Sequence, residues 1–146
     1  MSGLELEHAK TIIREALSEG RRTGCAPLTV AVLDAGGHLK SFAREDGSGI
    51  LRPEIASGKA WGALGMGFGS RTLLERAQSS NKTQIFFTAL ASASGGRVVP
   101  VPGGVLIRDQ NGEIVGAAGI SGDTSEKDEA CAIAGIEAAG LNADPG

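Results

Sequence analysis

The apolar positions of the chain follow a helical period in some stretches and form short strand-like runs in others. Near the N-terminus Ala9, Ile12, Ile13, Ala16 and Leu17 recur at i, i+3, i+4, i+7 and i+8, while Glu5, Glu7, Lys10, Arg14 and Glu15 cover the other side. That spacing predicts an amphipathic helix over 4–19, leaving at Gly20 and Gly24, with His8 at its rim. Pro27 opens the apolar run 28–33. The turn Asp34-Ala35-Gly36-Gly37 follows, and Leu39 to Arg44 returns as the second strand of a hairpin. Pro53 suits the first turn of a second helix reaching Gly65 or Gly67, with Ala56, Ala60, Ala63 and Leu64 as its apolar face.

Gly58, Gly62, Gly65 and Gly69 form a stripe along the same stretch. Each glycine inside a helix costs ~1 kcal/mol relative to alanine. Close packing of another helix or strand against the stripe would offset that cost; the alternative is a break near Gly65, with loop beyond it. A short helix is expected over 71–80. The run 84–94, QIFFTALASAS, is ambiguous between helix and buried strand and is read as irregular or briefly helical.

The second half centres on a hairpin. Val105, Leu106 and Ile107 lead into Asp109-Gln110-Asn111-Gly112, and 113–118 forms the return run. Asn-Gly supplies the positive φ of a hairpin turn. Upstream, 97–101 reads as a further strand, placed at an edge because Pro100 and Pro102 cannot donate to a ladder. Ser125-Glu126-Lys127-Asp128 fits a capping box for a last helix ending near Ala139 and Gly140, and 142–146 reads as a frayed tail. Strands and helices do not alternate as in a parallel α/β fold. The order predicts one α+β domain over 1–146, a five-stranded, mostly antiparallel sheet flanked by helices.

Charge and composition narrow the function. The formal net charge is −3, with no run of basic residues and no interleaved aromatics, so nucleic acid is not an expected partner. No apolar stretch approaches the ~20 residues that span a bilayer. The N-terminal stretch has no apolar signal core, so a cytoplasmic location is expected. Cys25 and Cys131 are far apart and belong to no CxxC, and reduced thiols are expected. One Trp, four Phe and no Tyr leave aliphatic side chains and backbone as the main wall material of any apolar site.

Several motifs in a fixed order resemble the GlcG/HbpS family of small heme-binding and heme-degrading proteins, which includes the C-terminal module of PduO-type corrinoid adenosyltransferases. They are VAVLDAGGHL (30–39), Asp46-Gly47, IASGKA (55–60), PGGV (102–105), GEIVGAAGISG (112–122) and the acidic-headed helix with Asp128-Glu129. The resemblance covers roughly residues 4–141 and departs at Leu106, where the family has proline, and in the glycine-rich stretch 61–70. It implies a profilin-like fold, a homo-oligomer and a pocket for heme or another small ligand.

Candidate site residues follow. Lys59, in the KA motif, is expected to line the pocket, holding a substrate carboxylate or heme propionate, or to act as acid/base; the alternative is a lysine snorkelling from a packed helix. Arg44 and Asp46 are expected to contact ligand or to pair with each other. Gly103, Gly104 and Ser121 offer backbone N–H groups or a hydroxyl to an anion. His38 is a candidate heme iron ligand beside the first turn; the alternative is an idle exposed histidine. Two other readings stay open: an enzyme acting on a small organic acid with Lys59 as acid/base, and a non-catalytic oligomeric accessory or regulatory subunit.

Overall fold

The computed structural model describes residues 3–146. The elements are α1 (Leu6–Arg22), β1 (Thr29–Asp34), β2 (Leu39–Arg44), α2 (Arg52–Met66), α3 (Ser70–Ala77), α4 (Asn81–Ala93), β3 (Gly104–Arg108), β4 (Ile114–Ser121), α5 (Ser125–Ala138) and β5 (Asn142–Asp144). The strands form one five-stranded sheet in the order β2-β1-β4-β3-β5, each neighbouring pair antiparallel. This is the expected profilin-like α+β arrangement.

The period of two along each strand sorts side chains onto two faces. Val30, Val32, Val105, Ile107, Ala118 and Ile120 pack with Ile12, Ala16, Cys131, Ala132 and Ile136 of α1 and α5 in the larger core. On the opposite face Leu33, Leu106 and Ala117 meet Ala60 and Ala63 of α2. α2 lies unusually low on that face. A Cβ on Gly104 would strike the carbonyl of Lys59, and one on Gly119 the carbonyl of Ala56. Glycine lets the helix backbone rest directly on the strands.

The central hairpin turns as predicted. Gly112 has φ +78°, and the Asp109 carboxylate accepts the N–H groups of Asn111 and Glu113 at 2.9 and 3.0 Å. His8 takes a local role: its Nδ1 accepts the Glu5 N–H at 3.3 Å at the start of α1.

Several expectations are corrected. The stretch 97–101 is not a strand. It runs across α2, where a Cβ on Gly58 would meet Val99 and one on Gly62 would meet Val98, and the Val99 N–H donates to the Gly58 carbonyl at 3.3 Å. The fifth strand is instead β5, in the expected tail. It pairs with β3, and Arg108 Nε donates to Asp144 at 2.9 Å. The ambiguous run after residue 80 is a full helix, α4, capped by Ser80, whose hydroxyl accepts the Thr83 N–H at 3.2 Å. The last helix is capped by Thr124, not Ser125: the Thr124 hydroxyl accepts the Lys127 N–H at 3.3 Å, while the Asp128 carboxylate takes the Lys59 ammonium and the Asp123 N–H.

Candidate functional site

β2 is an edge strand, and α2 covers the strands beside it. The face of β2 on the α2 side is left open. The register slips between Val32 and Leu33, so that Val32 faces Ser41 and Leu33 faces Leu39, with Lys40 as the extra residue. A bulge of this kind re-aims side chains, and here it puts Leu39 and Phe42 on one face. They are 61% and 41% exposed, large apolar side chains without cover. Pro53, Ser57, Gly58 and Trp61 of α2 form the opposite wall, and Gly95-Gly96-Arg97 closes one side. The cavity so enclosed measures about 600 Å³, within the range usual for small-ligand sites.

The polar groups of this cavity are few and placed at its edge. The Arg97 guanidinium stacks over the Trp61 ring, 3.8 Å from its centroid, a cation–π contact that holds a positive charge at the mouth. Gly95 and Gly96 have φ +68° and +78°, which lets the chain turn sharply out of α4 and deliver Arg97 there. Glu54 and Ser57 supply the oxygens of the lining. Among the described residues no histidine, cysteine or methionine lines it.

The residues singled out from sequence lie elsewhere, in three groups. Lys59 is 2% exposed. Its Nζ donates to Asp128 Oδ2 at 3.1 Å and to the Ile120 carbonyl at 2.9 Å. Asp128 Oδ1 accepts the Asp123 N–H at 3.0 Å. Burial lowers the pKa of Lys59 and raises that of Asp128, in each case outweighing their mutual attraction. Gly103 and Gly104 pack against this lysine, and the buried Ser121 accepts from Arg52 Nη1 at 3.0 Å. Lys59, Gly103, Gly104 and Ser121 are thus neighbours, but in the packed seam between α2, the sheet and the head of α5.

Arg44 and Asp46 border a shallow hollow with Arg21, Pro27 and Glu45, where Arg44 Nη1 donates to the Ser48 carbonyl at 2.6 Å. His38 is exposed, with Nδ1 3.4 Å from the Asp34 carboxylate, and lines a different hollow beside Glu5 and Lys40. Sequence reasoning passed over Leu39, Phe42, Trp61 and Arg97. The signal available was the chain's single tryptophan, beside the alanine face of α2.

With the geometry established, comparison with known proteins decides the family. A model of the HbpS-like family, described as haem degrading protein HbpS-like, matches residues 4–137. The chain belongs to that family. Solved structures share the fold. The heme complex of PduOC is 26% identical, with a TM-score of 0.85 over 97% of this chain and 98% of that one. HbpS of Streptomyces reticuli, in the form of a double mutant, is 25% identical, with a TM-score of 0.77 over 94% of this chain and 87% of that one. The Klebsiella pneumoniae protein ORFY is 20% identical, with a TM-score of 0.84 over 96% and 93% of the two chains, and shows the fold alone. No curated protein matches the chain. Among the described residues no helix is long and apolar enough to cross a membrane.

Proposed function

We propose that this HbpS-like protein binds heme in the cavity between β2 and α2. The observation that carries the reading is the pairing of exposed apolar walls with one cation at the rim: Leu39, Phe42, Pro53 and Trp61 inside, Arg97 at the mouth. That set suits a broad apolar macrocycle edged by carboxylates. Leu33, Leu39, Phe42 and Trp61 would hold the ring, and Arg97 would meet a propionate. The bound iron would supply redox chemistry. The lining's donors toward a metal are the oxygens of Glu54 and Ser57, so affinity rests on the macrocycle and its carboxylates more than on iron coordination. The heme complex of PduOC and the family description support the choice of ligand.

Trp61 is the only tryptophan and the chain has no tyrosine, so the protein's tryptophan emission arises from the wall of this cavity. Hemin and metal-free protoporphyrin are both expected to quench it saturably, with affinities within about tenfold of each other, and Arg97→Ala is expected to weaken both by about tenfold, the cost of a lost charge-assisted contact. Saturable binding of hemin with none of protoporphyrin would overturn the apolar-cradle reading. Quenching of neither would overturn the heme reading and leave a smaller carboxylate as the ligand class.

Homo-oligomerisation is part of the same proposal. α4 has no buried residue among those described, and Ile85 and Phe86 are 71% and 51% exposed. A second copy covering this helix would remove that surface from water. Light scattering should report a multiple of the chain mass, reduced by Ile85→Asp with Phe86→Asp. A wild-type monomer at micromolar concentration would contradict it.

A further inference from the structure

Cys25 and Cys131 stand 106 positions apart in sequence, yet their sulfurs lie 3.9 Å apart. Both are free thiols. The fold brings them together for separate reasons. Cys25 sits in the loop between α1 and β1, held by its own N–H donating to the Gly20 carbonyl at 2.9 Å. Cys131 is in the second turn of α5, facing α1 where Gly20 leaves room for it. α1 and α5 pack side by side, so the loop leaving α1 falls over the α5 cysteine.

We propose that Cys25 and Cys131 form an intramolecular disulfide under oxidation by a hydroperoxide, as a reversible modification site separate from the cavity. The two sulfurs differ in setting. Cys131 is enclosed by the core, and burial raises its pKa to about 12, with Cys25 beside it adding to the effect; it waits as a neutral thiol. Cys25 is itself only 4% exposed, but it lies at the protein surface in a loop whose neighbours Thr23, Gly24, Ala26 and Pro27 are all exposed. Its Sγ is 3.6 Å from Thr23 Oγ1, whose own proton goes to the Glu19 carbonyl at 2.8 Å, so the Cys25 thiol is the donor of that pair. Gly24, with φ +76°, gives the loop a pivot next to the sulfur.

The chemistry balances with a hydroperoxide, ROOH, as oxidant. Cys25 sulfur attacks the outer peroxide oxygen and the O–O bond breaks. Cys25 becomes a sulfenic acid, and its thiol proton leaves with the alkoxide as ROH. Cys131 sulfur then displaces hydroxide from that sulfenic sulfur. The S–S bond forms, and the Cys131 proton and the hydroxide leave as water. Two thiols are oxidised by two electrons and one peroxide is reduced. The sulfurs must close to about 2.0 Å, a movement that rotation of Cys25 in its loop supplies. In a reducing compartment such a bond is transient and thiols restore the starting state.

The test treats the full-length protein with hydrogen peroxide and then counts thiols under denaturant. The expected result is loss of both thiols together, a mass lower by two hydrogens, a single cross-linked peptide containing Cys25 and Cys131, and full recovery with dithiothreitol. The oxidised form should melt several degrees higher, since the bond closes a loop of more than a hundred residues in the unfolded chain. Cys131→Ser should convert the outcome to an over-oxidised or trapped Cys25, whereas Cys25→Ser should leave Cys131 unreacted at the same peroxide dose. Two thiols surviving a dose that oxidises a free exposed thiol would overturn the proposal. So would cross-links between chains instead of within one.

Discussion

Lys59 shows how one side chain changes meaning between sequence and structure. A lysine on the border of a helix's apolar face suggests a group reaching into a pocket. In the fold the same residue is 2% exposed and directs its ammonium to Asp128 and the Ile120 carbonyl. A buried pair of this kind adds little net stability, but breaking it strands a charge. Lys59→Met is therefore expected to lower unfolding free energy by about 3–5 kcal/mol, read by urea denaturation at neutral pH. The pH dependence has a definite sign. Burial already raises the pKa of Asp128 above its ordinary value of 3.8, and Lys59 is what pulls it back. Without Lys59 the native carboxyl takes up a proton well before the unfolded one, so native stability rises as pH falls through that window. The deficit of Lys59→Met should be full at neutral pH and shrink as pH approaches 4. A deficit under about 1 kcal/mol, or one that grows in acid, would contradict the buried-pair account.

At the scale of elements, the glycines of α2 and its neighbours are legible in part. Their number along one helix announced close packing, and Gly58 and Gly62 do receive Val99 and Val98. The nature of the packing partner was not legible, because an extended segment docked on a helix leaves no periodic trace in its own sequence. The same blind spot hid β5: three residues pairing at a sheet edge are too short for any alternation to register. α4 was obscured for the opposite reason. It is apolar on several sides, which reads as buried strand as easily as helix, and nothing among the described residues buries it. The elements with one clean period, α1 and the two hairpins, were plain from their residues alone.

A pair of substitutions separates close contact from mere conformational cost in the glycines. Gly119→Ala would drive a methyl group into the Ala56 carbonyl and force α2 off the sheet, an overpacking loss of about 1–3 kcal/mol or more. Gly65→Ala sits near the end of the same helix with its Cβ pointing into open space, and should gain about 0.5–1 kcal/mol from the unfolded chain's lost freedom. Thermal melts of the two variants should move in opposite directions. Equal losses would mean that α2 does not rest on β4 as described.

For the whole molecule, the division of labour follows from where helices cover the sheet. α1 and α5 seal one face with an aliphatic core. α2 rests on the other face by way of glycine and alanine, and stops short of β2. The uncovered edge becomes a cavity because a bulge aims Leu39 and Phe42 into it and the turn after α4 hangs Arg97 over Trp61. The family was legible from ordered motifs, but the motif residues Lys59, Gly103, Gly104 and Ser121 lie in the packed seam. The cavity is made by the least patterned residues, which only the three-dimensional arrangement gathers.

The most direct test of this account is a hemin titration of the wild-type protein and of Phe42→Asp, followed by the Soret band with circular dichroism to verify folding. Phe42 is exposed at an edge strand, so its replacement should leave the fold intact while placing a charge in the apolar wall. The account predicts a saturable Soret shift in the wild type and a loss of affinity of tenfold or more in Phe42→Asp. Equal binding by the two folded proteins would place any heme elsewhere on the molecule and contradict the cavity between β2 and α2 as the site.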